Sequence, residues 1–505
     1  MLRILGSAKK LCDGLTRRDF LHVGGLGALG LGLDQFFSLR HSQAREQTAR
    51  AADPSRPNFG KAKACILLFP YGSPPQHETF DPKPDAPADI QGEMKAIATN
   101  VPGLSICDHL PKIAGVMDRV TVVRSMTHPY PVHGVAYAVS GIPTYTPDIE
   151  TRPNDSSHWP FIGSVVDYLR ERAEGEARPE VPRNVGLPWL LNARADTVPL
   201  AGPYAAFLGQ GYNPVWCDFD GQGTKIAPKF TEGQNREFMD PYMGTTPDGR
   251  FSLSASARLP DDVSLHRLGM RRSLLKQFDR SRTALESDSR VNQFDRHRQT
   301  ALSLLTTSTM RAALDVQSEP DALRERYGMT LFGQACLAAR RLVEAGAVFI
   351  TVFWDCYGQF ANGAWDTHQY HYPRLKDYLL PGFDLAYSAL ITDLDDRGLL
   401  DETLVLWMSE HGRTPRIYDK PGAGREHWSQ AYSIALAGGG TARGKVVGAT
   451  DPLGGEVQDN PISPKDILAS TYYLLGIDPH ATVDDRQGRP VAIAGTGRVR
   501  HELFG

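Results

Sequence analysis

The second half of the chain alternates between helical and extended hydrophobic patterns. Between Pro320 and Gly346, apolar residues recur at spacings of three or four, which predicts one helix with a single buried face. Proline suits its first turn and glycine its C-terminal cap. The continuous apolar run at 347–353 follows at once and predicts a buried strand. A second helix has its apolar face at 383–394 and stops at Gly398.

Further apolar runs predict strands at 63–69, 119–123, 404–409 and 431–437, and the sequence Ser-Pro-Lys-Asp from Ser463 resembles a capping box that opens a last helix. Alternating helices and near-continuous apolar strands indicate an α/β fold, in which helices cover both faces of a mostly parallel sheet. Residues from about 175 to 316 interrupt this pattern. They are rich in proline, glycine and polar residues, and predict a loop-rich insertion whose second part is mostly helical.

The first fifty residues carry an export pattern. The sequence Thr-Arg-Arg-Asp-Phe-Leu at 16–21 runs into an apolar stretch of 13 residues, whereas a membrane span needs roughly 20. A basic pair, a short apolar core and small residues after it predict a twin-arginine signal and linker in residues 1–50. A helix docked on the domain is the alternative. We therefore expect export to the periplasm or beyond by the twin-arginine translocase, no stable membrane span, and one domain at 58–505.

Composition excludes some classes of function. The 505-residue chain has a formal net charge of -3 and lacks a basic recognition helix or zinc-finger spacing, so nucleic acid is not an expected partner. Five cysteines follow the export pattern, without a C-x-x-C motif. They predict buried thiols, and one or two disulfides could form in an oxidising compartment.

Three polar motifs lie beside the predicted strands of the second half. WDTH follows the 347–353 strand, SEHGRTP ends the 404–409 strand, and GREHW precedes the 431–437 strand. Ligands of such sheets bind beyond the carboxyl ends of the strands. The motifs supply a candidate set of oxygen and imidazole metal ligands, namely Asp366, His368, Glu410, His411 and His427. Asp81 and His133 could add to the set.

Each of these residues has a structural alternative. Asp366 and His368 could tie a loop, and Glu410 could pair with Arg413 or Arg416. His427 could be a buried, hydrogen-bonded histidine. Arg413 is the candidate catalytic arginine, because a guanidinium beside a metal would bind phosphate or sulfate with two hydrogen bonds. Its alternative is a salt bridge to Glu410 or to a nearby aspartate.

Taken in order, the segments GSPPQHETFDPKP, VRSMTHPYPVHG, WDTH, SEHGRTP, GREHW and GATD resemble a bacterial family of twin-arginine-exported proteins of unknown function. That family is abundant in planctomycetes and is grouped with the alkaline phosphatase and sulfatase superfamily. The resemblance implies an alkaline-phosphatase-like α/β/α sandwich with one or two divalent ions, Zn, Mn or Ca. Through the Ser-Asp-His-Gly segment of sulfatases it implies metal ligation by Glu410 and His411. Similar motifs imply it for Asp366, His368 and His427.

The sequence thus predicts an exported, metal-dependent hydrolase of small-molecule or polysaccharide esters of phosphate or sulfate. The Cys/Ser-x-Pro-x-Arg motif of sulfatases is missing from the corresponding stretch. Ser73 is the candidate nucleophile, with Ser125 and Thr127 as alternatives. The second hypothesis is a secreted binding or surface protein that keeps the fold without catalysis.

Overall fold

The structure is a computed structural model of the whole chain. It describes residues 57–505, except for 132, 142–150, 154, 156, 175–178, 197–199, 228–236, 255–307 and 359–362. The predicted export signal and most of the polar segment after residue 263 lie outside the described residues. Pro57–Gly505 form one compact unit. Within the described ranges, no helix has the length and apolar character that a membrane span requires.

The strands of the described residues are two to seven residues long. In chain order they are β1 (Ala64–Pro70), β2 (Ala96–Ala98), β3 (Ser105–Cys107), β4 (Val120–Met126), β5 (Asn184–Leu187), β6 (Val215–Asp220), β7 (Arg250–Leu253), β8 (Phe349–Trp354), β9 (Thr403–Trp407), β10 (Gly412–Arg413), β11 (His427–Trp428), β12 (Tyr432–Ala437), β13 (Lys445–Val447), β14 (Ala449–Thr450), β15 (Val457–Asp459), β16 (Thr482–Asp484) and β17 (Pro490–Ala492).

The α-helices of the described residues are α1 (Ala88–Gln91), α2 (Pro111–Ala114), α3 (Val135–Ser140), α4 (Ile162–Glu174), α5 (Ser308–Leu314), α6 (Asp321–Tyr327), α7 (Leu331–Glu344), α8 (His371–Arg374), α9 (Leu380–Asp396) and α10 (Pro464–Leu474). One turn of π-helix, Leu375–Leu379, connects α8 to α9. The capping box predicted at the start of the last helix is confirmed, since the Ser463 side chain and the N3 residue Asp466 bond each other's backbone.

Nine strands form the main sheet in the order β13-β4-β12-β9-β1-β8-β5-β6-β7. Strand β1 lies at the centre and pairs in parallel with both β8 and β9. Strand β12 runs antiparallel to β4 and β9, and β7 runs antiparallel to β6. The other neighbouring pairs are parallel, so the predicted mostly parallel sheet is confirmed.

Helices cover both faces of this sheet. Phe349 and Trp354 of β8 are five residues apart and therefore point to opposite faces. On one face, Phe161 at the start of α4 contacts Phe349 at a ring distance of 5.5 Å. On the other, Phe332 of α7 contacts Trp354 at 4.7 Å. The fold is therefore a three-layered α/β/α sandwich, as predicted.

The structure corrects the prediction of a loop-rich insertion at about 175–316. This stretch contributes β5, β6 and β7, which extend the main sheet at one edge. These strands have only four to six residues and are flanked by proline, glycine and asparagine. Their hydrophobic pattern was too short to stand out from the surrounding turn residues.

The helix predicted between Pro320 and Gly346 is two helices, α6 and α7. Gly328 has a φ of +87° and ends the first. Thr330 opens the second, because its side chain accepts a hydrogen bond from the N–H of Gly333. The apolar spacing continues across the break, so periodicity alone did not reveal it.

The five cysteines of the described residues are all buried. They are Cys65, Cys107, Cys217, Cys336 and Cys356. Burial raises the pKa of the Cys65 and Cys336 thiols, which keeps them protonated. The prediction of buried thiols is confirmed for these residues, and none of them forms a disulfide.

Because β12 runs antiparallel to β4 and β9, the polar motifs meet at one end of the strands of the main sheet. Strands β1, β4, β8 and β9 end there, whereas β12 begins there. The GREHW motif precedes its strand instead of following it. Because that strand is antiparallel, the motif lies at the same end of the sheet as WDTH and SEHGRTP. All three motifs therefore lie together.

A close backbone approach joins two of these strand ends. Gly72, just after β1, has a φ of +99°, and a Cβ placed on it would lie 2.4 Å from the backbone nitrogen of Asp366. Gly346 has a similar φ of +97°, but nothing lies within 4 Å of its added Cβ. The two glycines thus share a backbone conformation and differ in the space around them.

We predict that Gly72→Ala lowers the free energy of unfolding more than Gly346→Ala does. Both substitutions place alanine in the left-handed region, which costs about 1–2 kcal/mol. The Gly72 variant also forces a methyl group against the backbone of Asp366, adding about 1–3 kcal/mol. Urea denaturation measures the difference. Equal losses would contradict the close approach of Gly72 to Asp366.

Candidate metal centre

Six potential metal ligands gather at the edge where the motifs meet. We call them the histidine–carboxylate cluster: His133, Asp366, His368, Glu410, His411 and His427. The five ligands predicted from the three motifs are all brought together, and His133 joins them from the loop after β4. The cluster forms two overlapping groups, in each of which the ligand atoms lie within 4.8 Å of one another.

Asp366, His368 and His427 form the tightest part of the cluster. Oδ1 of Asp366 lies 3.0 Å from Nε2 of His368 and 3.3 Å from Nε2 of His427. The two histidine nitrogens are themselves 3.0 Å apart. Three atoms that can each present a lone pair therefore form a triangle with sides of about equal length.

Outer hydrogen bonds fix the histidines so that Nε2 faces inward. Nδ1 of His427 lies 3.3 Å from the carbonyl oxygen of Pro131, and Nδ1 of His411 lies 2.8 Å from that of Gly412. Nδ1 of His368 contacts the carboxylate of Glu426. A nitrogen that faces a carbonyl or a carboxylate carries the proton of a neutral ring. The neutral tautomer therefore leaves Nε2 of His411 with a bare lone pair. Nε2 of His368 and of His427 instead face Oδ1 of Asp366, where a bound cation would accept their lone pairs.

His411 shows this most clearly. Its side chain is buried, and its Nε2 has no hydrogen-bond partner among the described residues. Burial, followed by the charges of His427 and His133, holds the pKa of His411 well below its usual range. The ring is therefore neutral, and a buried lone pair without a partner has a free-energy cost that a bound cation would remove.

His133 lies between the two carboxylates of the cluster. Its Nδ1 is 2.9 Å from Oε1 of Glu410, and its Nε2 is 3.3 Å from Oδ2 of Asp366. Burial alone would lower the pKa of His133, but Asp366 and then Glu410 raise it to about 9. A positive charge at this position satisfies both carboxylates, and a divalent cation would serve them in the same way.

Glu410 is held by the ends of two strands. Its Oε1 accepts a hydrogen bond of 2.9 Å from the N–H of Gly72, and its Oε2 accepts one of 2.5 Å from Ser409. Its backbone carbonyl lies 2.7 Å from Nε2 of His128. Burial alone would raise the pKa of Glu410, but the hydrogen bond to His133 lowers it. The carboxylate is thus ionised and fixed in place.

The donor set fits a divalent ion. Two ligands of a tetrahedral ion with bonds of about 2.1 Å lie about 3.4 Å apart, close to the separations of 3.0–3.3 Å in the Asp366 triangle. Without a shared proton or cation, the three lone pairs would repel one another. Several imidazoles with carboxylates suit Zn²⁺ or Mn²⁺ better than Ca²⁺, which prefers oxygen ligands.

Arg413 lies beneath the cluster, and its side chain is fully buried. Nε donates to the carbonyl of Ser73 at 3.0 Å, and Nη1 donates to that of Arg425 at 3.2 Å. Nη2 contacts the carbonyl of Gly72 and the carboxylate of Asp366. Burial alone would raise the pKa of Asp366, but Arg413 and then His133 hold it well below its usual range. This geometry favours the salt-bridge alternative, with Asp366 as the partner.

The remaining candidates take different positions. Ser73 is buried just after β1 with a φ of +69°, and its hydroxyl has no partner among the described residues. Ser125 is also buried without a hydroxyl partner there. Asp81 does not join the cluster, because its carboxylate is bound by Lys83 at 3.0 Å and by Thr450.

Sequence reasoning missed Glu426. It lies inside the GREHW motif, next to His427, but its side chain contacts His368. Its other oxygen is bound by Lys420. Adjacency to a predicted ligand was the one signal that could have identified it, since outer carboxylates often orient metal-binding histidines.

Solved structures of other proteins show weak overall similarity to this chain. A sulfatase from Pseudoalteromonas sp., PsFucS1, is 10% identical over 87% of this chain and 72% of its own, with a TM-score of 0.35. The lipoteichoic acid synthase LtaP from Listeria monocytogenes is 10% identical over 90% and 80%, with a TM-score of 0.32. At these scores the similarity carries no argument about function.

A phosphonate monoester hydrolase from Silicibacter pomeroyi, SpPMH, matches at the same level, with 10% identity over 88% of this chain and 76% of its own and a TM-score of 0.34. No curated protein matches this chain. A family profile described as a protein of unknown function, DUF1501, matches residues 62–504. Because the match spans nearly all of the chain beyond the N-terminal segment, this protein belongs to the DUF1501 family.

Proposed function

We propose that this protein is an exported, metal-dependent hydrolase of phosphate or sulfate esters. The convergence of lone pairs in the histidine–carboxylate cluster carries the proposal. Nε2 of His411 is buried without a partner among the described residues, and Nε2 of His368 lies 3.0 Å from that of His427. Nε2 of His368 and Nε2 of His427 also face the same oxygen of Asp366, and one cation bound by these three atoms would satisfy the arrangement.

The ligands divide into two sets. Asp366, His368 and His427 would hold one ion, and Glu410 with His411 would hold a second, with His133 between them. Such an ion supplies Lewis acidity, which polarises an ester oxygen and stabilises the negative charge of the transition state. Gly72 and Ser409 would keep Glu410 in position through their hydrogen bonds to its carboxylate. Arg413 would hold Asp366 rather than the substrate.

Ser73 is the proposed nucleophile. A non-glycine residue with a φ of +69° costs of order 1–3 kcal/mol, and such strain concentrates at functional sites. The residue follows Gly72, whose N–H binds Glu410, and its carbonyl accepts from Arg413, which binds Asp366. Its hydroxyl oxygen would attack phosphorus or sulfur as the bond to the ester oxygen breaks, and the serine proton would leave with the alcohol. Water would then cleave the covalent ester, which returns a proton to Ser73 and releases phosphate or sulfate.

One observation favours the non-catalytic alternative. The side chains of Ser73 and Arg413 are both buried, so a substrate would reach them only if the surrounding loops opened. A binding or surface protein with a structural ion would have the same ligands and no such requirement. Hydrolysis by the metal-loaded protein separates the two functions.

We predict that His411→Asn removes the ion held with Glu410 and lowers hydrolysis of 4-nitrophenyl phosphate or 4-nitrophenyl sulfate by about 100-fold or more, since even an outer residue costs about 10–100-fold. The asparagine amide can still donate to the carbonyl of Gly412, but it has no atom in the place of Nε2. Elemental analysis of the purified protein and steady-state assays measure both effects.

His77→Gln is the matched control for this variant. His77 is also buried, with Nε2 at 2.8 Å from the carbonyl of Leu453 and no partner for Nδ1 among the described residues, but it lies outside the groups that could hold a metal. The control should keep its metal. If wild-type protein holds no metal and cleaves neither ester, the proposed function is wrong.

We predict that Ser73→Ala lowers kcat by about 100-fold or more while the metal content stays unchanged, because the variant loses the attacking group and no ligand. Ser125→Ala is the control, since that buried hydroxyl also lacks a partner among the described residues. A larger loss in the Ser125 variant than in the Ser73 variant would contradict the assignment.

Export is proposed on the basis of the paired arginines ahead of a short apolar segment. We predict that lysine at both Arg17 and Arg18 leaves the protein in the cytoplasmic fraction, because the translocase recognises the arginine pair. Arg45→Lys is the control. Cell fractionation measures the outcome, and unchanged export of the twin-lysine variant would show that the pair is not a signal.

A further inference from the structure

We propose that Glu426, held by Lys420, is a positioning residue that fixes the tautomer and orientation of His368 and thereby sets the metal affinity of the cluster. The inference rests on the proposed function, because it concerns the same ligands. It adds an outer pair of residues, one step removed from the metal, to which the sequence motifs assigned no role.

The contacts form a continuous chain from the surface to the cluster. Lys420 binds one oxygen of Glu426, and the other oxygen contacts Nδ1 of His368. Nε2 of His368 then faces Asp366 at 3.0 Å. About a third of the Lys420 and Glu426 side chains is exposed, against 19% for His368. The chain thus connects an accessible cation to a mostly enclosed imidazole.

His368 differs from its two neighbours in the acceptor it uses. His411 and His427 direct Nδ1 at main-chain carbonyls, which no substitution can remove. His368 directs Nδ1 at a carboxylate. A negatively charged acceptor strengthens the hydrogen bond and increases the electron density on the opposite nitrogen, which is the atom that would bind the metal.

The backbone around Glu426 is arranged to aim its side chain. Its N–H donates to the Thr414 hydroxyl at 3.0 Å, and its carbonyl accepts from the Thr414 N–H at 2.9 Å. Both main-chain groups are therefore held by the strand end that carries Glu410 and His411. Only the side chain is left to face His368.

The loop that carries Lys420 packs directly on His368. A Cβ on Gly424 would lie 2.0 Å from the carbonyl oxygen of His368, and the N–H of Tyr418 donates to the carbonyl of Gly424 at 2.9 Å. The hydrogen bond closes the loop between Tyr418 and Gly424, and Gly424 packs against the backbone of His368. This loop places the Lys420 ammonium group in contact with the carboxylate of Glu426.

The test is a calorimetric titration of Zn²⁺, and separately of Mn²⁺, into the metal-free full-length protein. Glu426→Gln should weaken binding by about 10–100-fold, as removal of outer partners of metal-binding histidines does. Lys420→Met should weaken it in the same direction by a smaller factor, because the carboxylate remains. Since its side chain is partly exposed, the Lys420 variant still gives a result if the Glu426 variant does not fold.

Glu93→Gln is the matched control. Glu93 also forms an exposed ion pair with a lysine, Lys376, but it contacts no histidine of the cluster. Its variant should bind both ions as the wild type does. An equal loss of affinity in this control would overturn the inference, because the effect would then come from overall charge.

The tautomer provides a second readout that does not depend on activity. In ¹⁵N-histidine-labelled, Zn²⁺-loaded protein, His368 should carry its proton on Nδ1 and bind through Nε2, and Glu426→Gln should shift it toward a mixture of tautomers. An unchanged affinity together with an unchanged tautomer in this variant overturns the inference while the proposed function stands. A wild type that binds neither ion and cleaves no ester overturns both.

Discussion

The candidate site depends on one buried cation, the guanidinium group of Arg413. It binds the carbonyls of Gly72, Ser73 and Arg425 and the carboxylate of Asp366. These partners lie in three different loops, after β1, after β8 and before β11, and carbonyl oxygens in such loops would otherwise lack donors. A guanidinium carries five N–H groups in a fixed plane, so one side chain can set the relative positions of several loops.

A second buried arginine, Arg425, also binds backbone carbonyls and one carboxylate. Arg425 bonds the carbonyls of Thr414 and Ile90, and its guanidinium pairs with Glu78 at 2.6 Å. Removing one partner of such a buried pair costs about 3–5 kcal/mol. The two arginines of SEHGRTP and GREHW thus support the loops, while the histidines beside them face the cluster. Each of these two motifs combines a structural cation with side chains of the histidine–carboxylate cluster.

Much of this could be predicted from the sequence, and the reasons are local. SEHGRTP and GREHW lie next to long apolar runs, and WDTH follows the 347–353 run in a glycine-containing loop. Asp366, His411 and His427 could therefore be assigned to one end of the sheet without knowing their distances. The direction of β12 could not be predicted, because hydrophobic periodicity is the same for parallel and antiparallel strands. The role of Arg413 also could not, since a guanidinium that binds backbone carbonyls leaves no pattern in the sequence. Glu426 illustrates the same limit: only the path of the Tyr418–Gly424 loop decides which histidine it meets.

The buried cysteines have a consequence for where this fold can exist. Every described cysteine is buried, and none of them is part of a disulfide. Between Pro57 and Gly505, therefore, the described fold has no covalent cross-link that a reducing environment could break. It also presents no exposed thiol that an oxidising one could join to another chain. A molecule of this kind can finish folding on one side of a redox boundary and keep the same covalent structure on the other.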